Sequence, residues 1–186
     1  NNFAQLLTSQ QVIRGLRDGA QDFEAIQRRV THVPTTRGTF KRLVQDDVRI
    51  DFFELEHGGK ENEEVLNLGH LIEMGGLKIL HVGDAEPAVE NFAVYDLKSR
   101  EIDIAFVPYW FFGKASGTRV LHEQIQARIV VACHVPPKEV EELEGLLTAQ
   151  FPEVVLFKTA LEKRSFLPPG APVPQAQPPG AGTEGG

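Results

Sequence analysis

The sequence predicts an α/β domain in which helices cover a mixed β-sheet, and three features point there. Leu68 to Met74 and Leu77 to Val82 are β-rich runs separated by Gly75-Gly76, the pair that supplies the positive φ of a tight hairpin. Ile102 to Val107 and Ile129 to Cys133 are short, continuous apolar runs of the kind covered on both faces of a sheet. Stretches with helically spaced apolar residues follow each of them. A hairpin followed by alternating strand and helix gives a layered α/β domain with a mixed sheet.

Each element has its own warrant. Gln5 to Thr8 reads as a short strand. Ser9 is placed to cap a helix whose apolar face is Val12, Ile13 and Leu16, stopped at Asp18-Gly19. A second short helix fits Phe23 to Arg29, and Val30 to Val33 fits a strand ended by Pro34. After a loop at Thr35 to Gly38 comes Val48 to Glu56, a strand rich in Ile and Phe that runs into His57-Gly58-Gly59. The polar stretch from Lys60 to Glu64 leads to the hairpin. Past Asp84, Pro87 stands where a helix accepts its first proline, and Ala88, Val89, Phe92 and Tyr95 recur at helical spacing as far as Arg100. Pro108 ends the strand from Ile102. Ser116 is expected to cap a helix carrying Val120, Leu121 and Ile125. Pro136-Pro137 opens a helix with Val140, Leu143, Leu146 and Leu147, and Val154 to Phe157 fits a last strand. From Phe166 the chain is mostly Pro, Gly, Ala and Gln, too poor in apolar residues to pack. Residues 1–165 therefore form the expected domain and residues 166–186 a disordered tail.

With 186 residues, 41% of them hydrophobic and 24% charged, the chain has ordinary globular composition. A net charge of −7 argues against nucleic acid or an anionic membrane as partner. No apolar run approaches the roughly 20 residues of a membrane span. One cysteine excludes an intrachain disulfide. The chain opens on Asn1, and its compartment, cytoplasmic or periplasmic and secreted, is left open, as is its oligomeric state.

The chemistry concentrates at strand ends. His57, Asp84 and His134 each follow a buried-type strand at its carboxyl end, where ligands of open α/β sheets bind. Imidazole and carboxylate together suit zinc, iron or manganese. One strand-end histidine is usually a hydrogen-bonded structural residue; three such residues at equivalent ends point to a shared site. Strand alternation puts His81 on the face opposite Asp84 and Cys133 on the face opposite His134. Both read as packed residues, Cys133 as a small hydrophobe. His70 shares a face with Ile72 and Met74 and reads as core, and His32 and His122 as structural or exposed. The run Tyr109, Trp110, Phe111, Phe112 is either core or the lining of a pocket mouth, with Tyr109 and Trp110 the candidates for substrate contact.

These residues carry a resemblance. A strand ending in His57-Gly58, the Leu68-Gly69 to Gly75-Gly76 hairpin, Leu80-His81-Val82-Gly83-Asp84 and Ala132-Cys133-His134 together resemble the second half of a metallo-β-lactamase-fold hydrolase. The branch is that of lactonases and phosphodiesterases similar to ascorbate-phosphate lactonase, over about residues 5 to 160. The resemblance implies a layered mixed sheet with flanking helices, incomplete at its N-terminal side, and two divalent metal ions, zinc first and manganese or iron as substitutes. It assigns the first metal to His57, the second to His134, and both to a bridging Asp84, which also orients the attacking water. A small-molecule ester, lactone or phosphodiester is the implied substrate.

The sequence departs from that family in one large respect. The main metal motif, His-x-His-x-Asp-His, is absent, and the chain is expected to be a fragment beginning just downstream of it, inactive alone. Two readings from other classes compete. One is a non-catalytic binding domain that kept the fold and lost the metals. The other is a phospho-acceptor domain using Asp84, which requires further acids at the same edge and a lysine at a later strand end; Pro108 and His134 stand at those ends instead.

Overall fold

Gly75 and Gly76 both adopt positive φ, 57° and 77°, and close a two-residue turn between the paired residues Met74 and Leu77. No side chain takes two such dihedrals in succession without strain, so the two glycines set the hairpin. The structure, a computed structural model, describes residues 4–170. Residues 171–186 of the expected tail lie outside the described residues.

The N-terminal part forms its own small layer. β1 (Leu6–Thr8) and β2 (Val30–His32) pair in parallel, with α1 (Gln10–Gly19) and α2 (Phe23–Ile26) between them. Ser9 caps α1 as expected, accepting the Val12 N–H at 3.2 Å. The second helix is split, because a 3-10 turn at Gln27–Arg29 follows α2.

Among the described residues, seven strands form one sheet in the order β3 (Lys41–Gln45), β4 (Val48–Glu56), β5 (Leu66–Met74), β6 (Leu77–His81), β7 (Ile104–Pro108), β8 (Ile129–Cys133) and β9 (Val155–Leu156). The first four are antiparallel to their neighbours, and β6 to β9 run parallel. Two reversals bring β4 back to the direction of β6. The carboxyl ends of β4, β6, β7 and β8 therefore share one edge.

β3 has no counterpart in the sequence reading. Lys41-Arg42-Leu43-Val44-Gln45 is largely polar because it is an edge strand, and Arg42 covers the buried Asp51 of β4 with two hydrogen bonds, Nε to Oδ1 at 2.7 Å and Nη2 to Oδ2 at 2.6 Å. Three helix expectations also need correcting. Pro87 precedes the first turn rather than occupying it, since α3 is Val89–Phe92 with Ala88 at its cap. That helix does not reach Arg100: two 3-10 turns, Ala93–Tyr95 and Leu97–Arg100, replace it, separated by Asp96 in the left-handed region. Ser116 is not a cap but the second residue of α4 (Ala115–Arg119), which continues as a π-helix over Val120–Ile125. After a 3-10 turn at Pro137–Glu139 comes α5 (Val140–Gln150).

The helices cover one sheet face. Phe53, Leu55, Leu71, Leu80, Val82, Ala105, Val107, Ala132 and Leu156 meet Phe92, Leu97, Phe111, Val120, Ile125, Leu143, Leu147 and Phe151 there. On the other face a cross-strand row runs Phe52, His70, His81, Phe106. No helix of the described residues is long and apolar enough to cross a membrane. Beyond β9, the Arg128 guanidinium donates to Leu167 O at 3.0 Å, so the start of the expected tail lies against the domain.

Candidate functional site

His57, Asp84 and His134 come together at the shared carboxyl edge. The strand β5 begins at Leu66, opposite Glu56, so beyond that residue nothing separates the end of β4 from the segment after β6. The two segments pair there: His57 and Ala85 form an isolated bridge, Gly58 N–H donates to Asp84 O at 2.6 Å, and Glu86 N–H donates to Glu56 O at 2.8 Å. His134 follows β8, on the far side of β7 from Asp84. It takes φ 58°, the left-handed region that non-glycine residues rarely enter, where the chain leaves β8.

The side chains form two pairs that share Asp84. His57 Nε2 stands 3.7 Å from Asp84 Oδ2, and His134 Nδ1 stands 3.4 Å from Asp84 Oδ1. His57 Nδ1 lies 2.6 Å from Gly58 O. A carbonyl oxygen only accepts, so Nδ1 donates to it, and Nε2 is the nitrogen turned toward the carboxylate. A second nitrogen tied to a backbone carbonyl is the usual way a metal-binding imidazole is oriented. Two imidazoles and a carboxylate are donor types that divalent metals accept, and among the described residues no three His, Cys, Asp or Glu side chains are grouped to hold one ion.

Two buried amides hold this edge, and the sequence reading passed over both. Asn67, at the start of β5, donates to Val82 O at 2.9 Å and accepts the Asp84 N–H at 3.0 Å. It fixes the turn in which Gly83 adopts φ 61°, and a Cβ on Gly83 would collide with the Asn67 amide. Asn91, fully buried in α3, accepts the Glu56 N–H at 2.8 Å and donates to Glu56 O and Glu86 O. It ties the residue before His57 to the loop after Asp84. The available signal was an amide at a position where the apolar period calls for a core residue.

The remaining candidates sort by contact. His81 is exposed: its Nδ1 accepts the Gly83 N–H at 3.0 Å and its ring stacks on Phe106. Burial of the stacked face lowers its pKa, and Asp84 partly opposes that shift. Cys133 stays a thiol, since burial and then the charge of Asp84 push it up to about 12. His70 packs edge-on against Phe52, and its pKa falls to about 4, first by burial and then by His81. His32 and His122 are exposed. The aromatic run divides: Phe111 and Phe112 are core, while Tyr109 and Trp110 are half-buried and line a cavity of about 430 Å³. Trp110 Nε1 donates to Ala85 O at 3.1 Å, and its ring meets His134 edge-on at 5.2 Å.

No protein-family model and no curated protein matches the sequence. Among seven solved chains with a similar fold is Igni18, a metallo hydrolase from the hyperthermophilic archaeon Ignicoccus hospitalis KIN4/I. The identity is 12% and the TM-score 0.44, over 84% of this chain and 65% of that one, so this chain spans about two-thirds of its length.

Proposed function

We propose that His57, Asp84 and His134 are this chain's contribution to the dinuclear metal centre of a hydrolase that acts on an ester, lactone or phosphodiester. One observation carries the reading. The two oxygens of Asp84 face two different imidazoles, at 3.7 and 3.4 Å. Separations longer than a good hydrogen bond, between donor types that bind divalent metal, leave room for an ion at each pair. Asp84 would bridge, His57 would serve one ion and His134 the other, with zinc the first choice by donor type and manganese or iron as alternatives. When bound, such ions supply Lewis acidity toward a carbonyl or phosphoryl oxygen and a water acidic enough to act near neutral pH.

The chain's own residues do the positioning. Asn67 and Asn91 hold the segments on either side of Asp84, Gly58 O keeps the His57 tautomer, and Trp110 walls the His134 side. Each ion receives two donors here, against the three protein ligands usual for catalytic zinc. The chain alone should therefore bind zinc weakly and turn over slowly. Zinc calorimetry on the wild type and on Asp84→Ala, with lactone and phosphodiester hydrolysis assays on both, tests the proposal. Weak zinc binding and slow turnover, both lost in Asp84→Ala, are the expected result. No zinc binding in either protein returns the reading to a non-catalytic binding domain.

A further inference from the structure

The hydrolase reading leaves the substrate's charge open, and the surroundings of Asp84 bear on it. Two cavities flank the site. One, of about 430 Å³, is lined by Tyr109, Trp110, Leu143 and Leu146, together with Glu139 and Glu142. The other, of about 720 Å³, includes His57 and the carboxylates of Glu56, Glu63 and Glu86. Lys114 lines both, and its Nζ is held 3.1 Å from Glu86 Oε1.

We infer that the smaller cavity receives the apolar body of an uncharged ester or lactone, and that the site discriminates against anionic phosphodiesters. This deepens the metal-hydrolase reading and rests on it. The cavity and the site share one wall. The Trp110 ring lines the cavity, meets the His134 ring edge-on at 5.2 Å and donates to the carbonyl of Ala85, next to Asp84, so the cavity adjoins the site across that ring. Two leucines and two aromatic rings match an apolar body, in a volume suited to a small ligand. Glu139 stands beside the Tyr109 hydroxyl and raises its pKa, so the Tyr109 end of the cavity carries negative charge. The charge is one-sided. Glu139 and Glu142 stand on one flank and Glu63 on the other, where Glu56 is paired with Arg37 at 3.1 Å, and the positive charge of Lys114 is engaged by Glu86. On its way to the metal site an anion entering by the smaller cavity passes Glu139 and Glu142, and Lys114, the cation of that lining, is engaged by Glu86.

Trp110 is the only tryptophan of the chain, so its emission reports this cavity directly. The full chain is titrated with δ-decalactone, uncharged, and with dibutyl phosphate, an anionic diester of comparable apolar size. The lactone should shift Trp110 emission saturably, and dibutyl phosphate should bind at least about tenfold more weakly, the scale of a like-charge contact at a partly screened site. The double variant Glu139→Gln, Glu142→Gln should narrow that gap. Leu146→Arg, and independently Tyr109→Ala on the opposite wall, should weaken the lactone response. Equal or tighter binding of dibutyl phosphate overturns the inference, as does a lactone response that neither cavity variant changes. Zinc calorimetry on the same samples separates the two proposals. Zinc binding without a lactone response overturns the cavity assignment alone. A saturable lactone response without zinc binding supports the cavity and overturns the metal centre.

Discussion

His134 Nδ1 lies 3.4 Å from Asp84 Oδ1 although β7 separates the strands that carry them. The gap closes because both residues lie past their strands and both leave by a positive φ, at Gly83 on one side and at His134 itself on the other. His57 reaches the other Asp84 oxygen through backbone pairing across the short start of β5. Asp84 is thus the one member of the trio in contact with both others.

That sharing has a consequence for metal affinity. Asp84→Asn keeps the shape of the side chain and removes its charge from both pairs at once. Calorimetry should show zinc affinity falling at both sites, whereas His57→Ala and His134→Ala should each remove one. A variant Asp84→Asn that loses only half the bound zinc would disprove the bridge.

Asn67 is buried and holds two backbone groups on either side of Gly83. Asn67→Ala leaves the Val82 carbonyl and the Asp84 N–H without that partner, at a cost of about 1–3 kcal/mol for buried polar groups. Gly83→Ala should destabilise at least as much, because the new methyl meets the Asn67 amide and φ 61° is unfavourable for alanine. Urea denaturation of both variants checks the ranking.

Stability should fall with acid through His70. In the folded chain its pKa is about 4, against about 6.5 when unfolded, because its ring is buried between Phe52 and the facing His81. Between those values the unfolded chain binds more protons, so stability is full above about pH 6.5 and is lost as pH falls toward 4, at up to ~1.4 kcal/mol per pH unit. The lowered pKa of His81 acts in the same direction. Urea midpoints at pH 7 and pH 4.5 should differ less in His70→Phe than in the wild type.

Arg42 is half exposed, yet it pairs in two-pronged fashion with Asp51, a carboxylate left 1% exposed. Its other cation, Arg100, is 4.0 Å away. Arg42→Ala should cost about 1–3 kcal/mol, since it leaves a buried charge under-paired while Arg100 retains part of the attraction. The double variant Arg42→Ala, Asp51→Asn should recover part of the loss in thermal denaturation. Failure to recover would mean that Arg42 acts through packing along β3.

The local pattern of the chain determined the pieces whose signals are local. Gly75-Gly76 dictated the hairpin, continuous apolar runs dictated β6, β7 and β8, and the strand-end positions of His57, Asp84 and His134 were visible because a polar donor directly follows an apolar run. Tertiary structure decided what depends on partners far along the chain. β3 is a strand because Arg42 meets Asp51 and its backbone completes a ladder with β4, not because its own residues favour extension. The helix after Pro87 ended at Phe92 and gave way to two 3-10 turns on either side of Asp96, where Tyr95 and Leu97 are buried in the core. Asn67 and Asn91 became positioning residues only when strands 15 to 35 residues away supplied carbonyls for their amides. The two pairs around Asp84 likewise arose from strand order and two left-handed turns, because side-chain distances across a sheet are set by register and backbone direction, which residue spacing does not encode.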